Sequence, residues 1–121
     1  MRNTREMALE KAFPRRTRDA ITTFAIENRS VMDVLRNVLD YASTNSTKLP
    51  RNLREPHARL LGGSEQLQIL FQIATECGFQ LENSDEDTEV ILQVPNQDLR
   101  VRVECDITAD ADLAKYRMSG I

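Results

Sequence analysis

The sequence predicts a small α+β domain in which the helices come first and a β-hairpin comes last. Two long segments repeat apolar residues at the spacing of a helix, and two short segments near the C-terminus alternate apolar and charged residues. A chain of 121 residues, 40% of them hydrophobic, can bury a core without disulfides or metals. We expect a charged segment over residues 1–16, one domain over 17–107 and a tail over 108–121.

The first two helices are expected before residue 45. Thr17 can cap a short helix that runs to about Glu27. Ser30 is the predicted N-cap of a firmer helix, which ends near Tyr41 to Ser43 because the side chains of the segment STNST compete with the backbone for hydrogen bonds. The apolar positions of this second helix have helical spacing and are Val31, Val34, Leu35, Val38, Leu39 and Ala42.

The strongest helical pattern follows Gly62 and Gly63, which break the chain, with Ser64 as the predicted N-cap. Its apolar arc is wide enough for the central helix of the domain. The members of this arc are Leu67, Ile69, Leu70, Phe71, Ile73, Ala74 and Cys77. Gly78 and Phe79 stand where a left-handed residue and its hydrophobic partner end a helix, so we expect a Schellman motif.

Strands are expected only beyond this helix. The segment ENSDEDTE reads as an acidic, solvated loop. The segments EVILQVP and LRVRVEC then flank NQD, and the second alternates apolar and charged residues, as a half-exposed strand does. We therefore predict a β-hairpin, followed by a tail that forms a helical turn or frays.

Charge is divided unevenly along the chain. Residues 1–60 hold 12 Lys and Arg against 7 Asp and Glu, a net charge of +5, whereas residues 61–121 hold 4 against 12, a net charge of −8. Much of the positive charge lies in the segment KLPRNLREPHARLL, residues 48–61. This asymmetry can serve solubility, pairing within the molecule, or the steering of a charged partner.

Common catalytic and cofactor motifs do not occur in the sequence. A single histidine removes most His-assisted nucleophiles, and Cys77 and Cys105 with that histidine are too few ligands for a zinc site. No apolar run approaches the length of a membrane span, and the first residues lack the apolar stretch of a signal peptide. We expect a cytoplasmic or nuclear protein that is not an enzyme, needs no cofactor or metal and has no membrane partner.

Several segments of the chain have the order and spacing of the motifs of a known protein family. VLRNVLDYASTN contains a Leu-rich helix end, RNLR follows it, a helix closes on GF, and VILQVP supplies a final strand. The matching residues include Tyr41, Ala42, Arg51, Leu53, Arg54, Gly78 and Phe79. From Val34 to Val94 the chain resembles the PUB domain, also called PUG, of peptide N-glycanase and of a ubiquitin ligase subunit. It departs from the family where Pro50 replaces a tyrosine and His57 an asparagine.

The resemblance implies a peptide-binding module rather than an enzyme. An aromatic or leucine anchor of the peptide would enter an apolar hollow, while arginine and lysine would face acidic groups or a terminal carboxylate. The expected peptide-binding residues are Tyr41, Asn45, Lys48, Arg51, Leu53, Arg54, His57 and Leu60. The partner implied is the C-terminal tail of the valosin-containing AAA ATPase or a peptide motif in a deubiquitinating protein. The first would make the chain an adaptor in the ubiquitin pathway of protein quality control.

Two other classes of function stay open at this point. The positive first half of the chain also suits an accessory domain that binds nucleic acid, although no aromatic residues are interleaved with the cations as stacking platforms. A structural assembly subunit, whose central helix packs partly on another chain, is the third possibility.

Overall fold

Four helices and four strands make up the part of the chain described by the structure, a computed structural model that covers residues 15–44 and 54–118. In chain order they are α1 Arg15–Glu27, α2 Arg29–Ala42, β1 His57–Arg59, α3 Ser64–Glu76, β2 Gln80–Asn83, β3 Glu89–Gln93, β4 Arg100–Glu104 and α4 Asp110–Met118. The α+β class predicted from the sequence is confirmed. None of the described helices is long and apolar enough to cross a membrane.

The strands form one mixed sheet in the order β1-β4-β3-β2. The predicted hairpin is confirmed: β3 and β4 pair antiparallel, with Val90 opposite Val103. Strand β2 adds to β3 antiparallel, and β1 adds to β4 parallel, with His57 opposite Arg102. Neither β1 nor β2 was predicted, because each has three or four mostly polar residues with no apolar alternation to mark it.

The hydrophobic core lies between α3 and the inner face of the sheet. Four residues of α3 have no exposed surface: Leu67, Leu70, Phe71 and Ala74. Val101 and Val103 of β4 are also fully buried, while Arg100 and Arg102, which alternate with them, face outward. Helix α2 packs on β1 and β4, and α4 packs on α3 and β2. The prediction that α3 is the central helix is therefore confirmed.

The end of α3 is the predicted Schellman motif. Gly78 has a φ of +95°, in the region that glycine adopts without a steric penalty. The N–H of Phe79 donates to the carbonyl of Ala74 at 3.0 Å, and the N–H of Gly78 donates to that of Thr75 at 3.0 Å. These two bonds satisfy carbonyls that would otherwise be unpaired at the helix end.

The starts of three helices differ from the predictions. Helix α1 begins at Arg15 rather than after Thr17. Helix α2 begins at Arg29, so Ser30 lies inside its first turn, and Asn28 occupies the cap position without capping. Ser64 is the first residue of α3 rather than its cap, and its hydroxyl donates to Asp112 at 3.2 Å. A distant partner thus holds the side chain of Ser64, where local propensity predicts a cap.

The C-terminal segment forms the nine-residue helix α4 rather than a single turn or a frayed end. Its Leu113 and Tyr116 are buried. The ring of Tyr116 lies 5.5 Å from that of Phe71, and its hydroxyl donates to Oγ1 of Thr75 at 3.0 Å. The segment predicted as a tail therefore shares the core of the domain, because two residues three apart supply a short apolar face.

The acidic loop is shorter than predicted. Its first residues belong to β2, which ends at Asn83, and its last, Glu89, begins β3 and is buried. The remaining residues, 84–88, connect the two strands. This connection is tied to the rest of the fold because Cys105 donates from its N–H to the carbonyl of Thr88, and Ala109 to that of Asp87, both at 2.7 Å.

Candidate functional site

A small hollow lies between the C-terminal half of α2 and the residue that precedes β1. Its volume is about 120 Å³, and its lining residues are Val34, Asn37, Val38, Tyr41 and Pro56. The four residues from α2 are spaced i, i+3, i+4 and i+7, so they form one stripe along the helix. We call this feature the Tyr41 hollow.

Hydrogen bonds hold the helix end beside the Tyr41 hollow. The hydroxyl of Thr44 donates to the carbonyl of Tyr41 at 3.0 Å, and that of Ser43 donates to the carbonyl of Asp40 at 2.8 Å. Gln97, in the turn between β3 and β4, donates from Nε2 to the carbonyl of Ala42 at 3.5 Å. Tyr41 itself is half-buried and packs against the core. Hydrogen bonds therefore hold the end of α2 that forms this wall of the hollow.

Positive charge in the chain segment that leads to Pro56 is partly neutralised inside the protein. Arg54 donates from Nη1 to Asp98 at 2.9 Å, and Arg100 donates from Nη2 to the other oxygen of the same carboxylate at 3.3 Å. Two guanidinium groups thus share one carboxylate and leave one positive charge in excess. Nε of Arg54 is buried and has no hydrogen-bond partner among the described residues. Asp98 is 67% exposed, so a ligand carboxylate can reach this cluster.

Pairing within the molecule accounts for part of the uneven charge. Arg59 donates to Asp106 at 2.7 Å, which raises the pKa of this arginine through the hydrogen bond and the attraction of the carboxylate. Arg102 contacts both Glu55 and Glu89. Arg54 and Arg59 come from the basic half of the chain and Asp98 and Asp106 from the acidic half. Of the three roles considered for the asymmetry, pairing is thus observed for these residues.

The predicted site residues are distributed more widely than a single pocket. Tyr41 lines the hollow, and Arg54 and His57 flank Pro56 along the chain, with His57 exposed on β1. Leu60 does not line any surface, because its N–H continues the ladder onto Glu104 at 2.8 Å and its side chain is fully buried. The other four predicted residues, Asn45, Lys48, Arg51 and Leu53, lie outside the described residues.

Sequence reasoning missed most of the lining of the hollow. Val34 and Val38 were assigned to the apolar stripe of α2, and Asn37 was not singled out. The helical spacing does contain the signal for all three, since they lie three to seven residues before Tyr41 on one side of the helix. The contact of Arg54 with Asp98 joins residues 44 positions apart and has no signal in the sequence.

No group of three or more histidine, cysteine or carboxylate side chains that could hold a metal ion occurs among the described residues. Cys77 and Cys105 do not form a disulfide and sit in different surroundings, Cys105 buried and Cys77 half-buried. Burial raises the pKa of the Cys105 thiol to about 11, and the carboxylates of Asp106 and Asp112 add to the effect.

This difference gives a testable prediction for the thiols. Because the thiolate is the reacting form, we expect iodoacetamide at mildly alkaline pH to modify Cys77 well before Cys105 in the folded protein. The pKa of Cys105 in the folded protein lies above its ordinary value of 9.0. The stability that comes from keeping this buried thiol protonated is therefore complete below about pH 9 and is lost as pH rises towards about 11. Mass spectrometry of the alkylated peptides checks the order, and equal rates would contradict it.

Comparison with known protein families, with curated proteins and with solved structures found no match to this chain. The resemblance to the PUB domain thus stays a prediction from the sequence motifs.

Proposed function

We propose that this chain is a non-catalytic interaction module that binds a short peptide with acidic residues or a free C-terminal carboxylate. The observation that carries the proposal is the Tyr41 hollow, with the shared Arg54–Asp98–Arg100 cluster contributed by the segment before β1 and the start of β4. On the resemblance to the PUB domain, the peptide would be the C-terminal tail of the valosin-containing AAA ATPase.

The size and chemistry of the hollow suit one side chain. Sites for small molecules and cofactors have volumes of about 300–1,000 Å³, several times the 120 Å³ of the Tyr41 hollow. Its lining residues are apolar apart from Asn37 and the hydroxyl of Tyr41, and Asn37 is exposed at the surface and can bond a peptide backbone. Peptide recognition commonly relies on one such buried anchor, surrounded by polar contacts that fix orientation.

The neighbouring charges favour an acidic ligand. Arginine forms its strongest hydrogen bonds with carboxylates, because charge and fork geometry match. A ligand carboxylate that reaches Arg54 would compete with the exposed Asp98 and could use the excess positive charge of the cluster. Since these groups are close to solvent, we expect added salt to weaken binding without abolishing the contribution of the apolar anchor.

The described chemistry offers little for catalysis. His57 is exposed on a short edge strand. Cys105 is buried with a raised pKa, which makes it a poor nucleophile. A binding role uses the hollow and the arginines as they are, without an activated group.

A titration followed by amide NMR tests this proposal. The probe is a synthetic acidic peptide with one leucine or aromatic residue and a free C-terminal carboxylate. We expect shifts within residues 34–44 and 54–58, and we expect Asn37→Glu to weaken binding by about tenfold or more, since it places a negative charge at the hollow (tenfold being about 1.4 kcal/mol). The matched control is Ser30→Glu, which adds the same charge at an exposed position of α2 outside the hollow.

Two outcomes would contradict the proposal. Shifts that appear with a short oligonucleotide and not with the peptide would favour the nucleic-acid alternative. Equal loss of binding in Asn37→Glu and Ser30→Glu would mean that the peptide senses general charge and does not use the Tyr41 hollow.

A further inference from the structure

A second apolar depression lies on the other flank of α2, where α1 and α2 meet above the end of α3. One part has a volume of about 230 Å³ and is lined by apolar residues that include Ile21, Ala25, Met32, Leu35, Leu39 and Cys77. An adjoining part of about 400 Å³ reaches Ile26 and Arg29. Both parts share Ala25, Met32 and Arg36, so they adjoin along α2, and we call the two parts together the α1–α2 groove.

The α1–α2 groove is separate from the Tyr41 hollow. Its residues on α2 are spaced i, i+3, i+4 and i+7 from Met32 to Leu39, and those of the hollow have the same spacing from Val34 to Tyr41. The two stripes are offset by two residues, which is about 200° around a helix of 3.6 residues per turn. Helix α2 is therefore a common wall with a different surface on each side.

The dimensions of the groove suit a helix. From Arg29 to Leu39 it follows α2 for eleven residues, and the ten steps between them span about 15 Å at 1.5 Å per residue. A partner helix of about three turns covers that distance. Its floor is apolar, and Ile26 at the rim is 72% exposed. Met32 adds an unbranched side chain that adapts to different partners.

Charge indicates which helix the groove would take. Arg36 lines both parts of the groove, and its side chain is 72% exposed. Its ion pair with Asp33 is long, at 3.9 Å, and exposed, so it holds the guanidinium weakly. Arg29 is a second exposed cation at one end, and Asp33 also lines that part, so these three side chains keep one positive charge in excess. A carboxylate on the partner would complete the pairing of Arg36.

We propose that the α1–α2 groove docks an amphipathic helix of a partner protein, with the apolar stripe of that helix on the floor and an acidic side chain paired with Arg36. This site goes beyond the proposed peptide function, because it uses the opposite flank of α2. The chain then holds two ligands on two sides of one helix, as an adaptor requires.

The test uses a synthetic helical peptide of about three turns, with leucines at i, i+4 and i+7 and one glutamate beside that stripe. Its affinity is measured by fluorescence anisotropy and its position by alkylation of Cys77 in the full chain. We expect bound peptide to slow alkylation of Cys77, which lines the groove, and to leave buried Cys105 unchanged as an internal reference.

Variants separate the contributions of charge and shape. We expect Arg36→Glu to weaken binding by about tenfold, as loss of a charge pair at a partly desolvated site does, and a peptide with lysine in place of its glutamate to bind this variant better. Lys115→Glu on α4 makes the same charge change outside the groove and should have no effect. Ala25→Trp, at an exposed position, should fill the groove without disturbing the core. It should therefore block binding of the helical peptide with glutamate and of the one with lysine.

Several results would overturn the proposal. Unchanged alkylation of Cys77 with saturating peptide would place the peptide elsewhere. Protection of Cys77 that rises with protein concentration, together with a dimer in sedimentation, would assign the groove to a second copy. If Cys77 is alkylated faster in the double variant Leu9→Ser with Phe13→Ser than in the unchanged protein, the groove would be assigned to the first residues of the same chain. Asn37→Glu should not alter binding here, so this proposal and the peptide proposal can fail independently.

Discussion

Replacing Asn28 with alanine is expected to lower the free energy of unfolding by about 2–4 kcal/mol, because two polar groups of the backbone would lose their partners. The side chain of Asn28 is 1% exposed. It donates from Nδ2 to the carbonyl of Leu61 at 3.2 Å, and its Oδ1 accepts from the N–H of Leu61 at 2.7 Å. One amide side chain thus pairs with Leu61 as a neighbouring strand would.

The position of Asn28 explains why this contact matters beyond its two bonds. Its backbone continues the helical ladder between α1 and α2, since its N–H donates to Phe24 at 2.7 Å and its carbonyl accepts from Met32 at 3.1 Å. Its side chain then fastens that junction to the segment after β1. Loss of the Asn28 side chain would weaken the attachment of α2 to the sheet at this junction.

Urea unfolding measures the effect. Asn37→Ala is the matched control, since Asn37 is an exposed asparagine of α2, and a change at such a position is expected to stay within about 0.5 kcal/mol. Asn28→Asp keeps an acceptor but loses the donor and buries a charge, so we expect it to be at least as damaging as Asn28→Ala. If Asn28→Ala and Asn37→Ala unfold at the same urea concentration with equal slopes, the role assigned to Asn28 is wrong.

The fold was predictable from the sequence where a local pattern and the tertiary structure agree. The arc of α3, its ending at Gly78 and the alternation of β4 all follow from spacing within a few residues. The starts of α2 and α3 were not predictable, because distant residues bond the side chains there: Leu61 bonds Asn28, and Asp112 bonds Ser64. Strand β1 is a strand because it pairs with β4, whose residues lie more than forty positions later in the sequence.

The candidate site shows the same division. Tyr41 could be placed at a helix end beside a basic segment, and the structure finds it at a hollow. Leu60 and Leu61 are adjacent leucines, and no local pattern says which of them is buried. The parallel register of β1 decides it, with Leu60 at 0% exposure and Leu61 at 50%. The pairing of β1 with β4, which comes from the other half of the chain, thus decides that Leu60 lies in the core and Leu61 at the surface.

Helix α2 explains why one short helix can serve two surfaces. Its fully buried residues, Val31 and Val38, face the core, and apolar residues continue around both flanks of this inner face. Neighbours cover those flanks only in part: Pro56 on one side, and Ile21 and Ala25 on the other. An apolar arc wider than the core needs is the feature that creates both the hollow and the groove.

The second large effect is expected at Arg102, where replacement with methionine should lower the free energy of unfolding by about 2 kcal/mol, because partly buried carboxylates lose their counter-charge. Arg102 donates to Glu55 from Nε and to Glu89 from Nη1, the latter at 2.8 Å. These side chains are only 23% and 11% exposed. Both hydrogen bonds raise the pKa of Arg102, so the guanidinium stays charged at neutral and mildly alkaline pH, and its stabilisation is lost only at strongly alkaline pH.

A double variant distinguishes the lost charge from lost packing. Glu89→Gln removes the more buried carboxylate but keeps its shape, and Ser84 can still donate to the amide oxygen as it donates to Glu89 at 2.6 Å. If the cost of Arg102→Met comes from an unpaired charge, Arg102→Met with Glu89→Gln should recover part of the lost stability in urea unfolding, whereas a packing defect would persist in the double variant. Arg100→Met is the control on the same strand, since its partner Asp98 is 67% exposed and such pairs contribute about 1 kcal/mol at most.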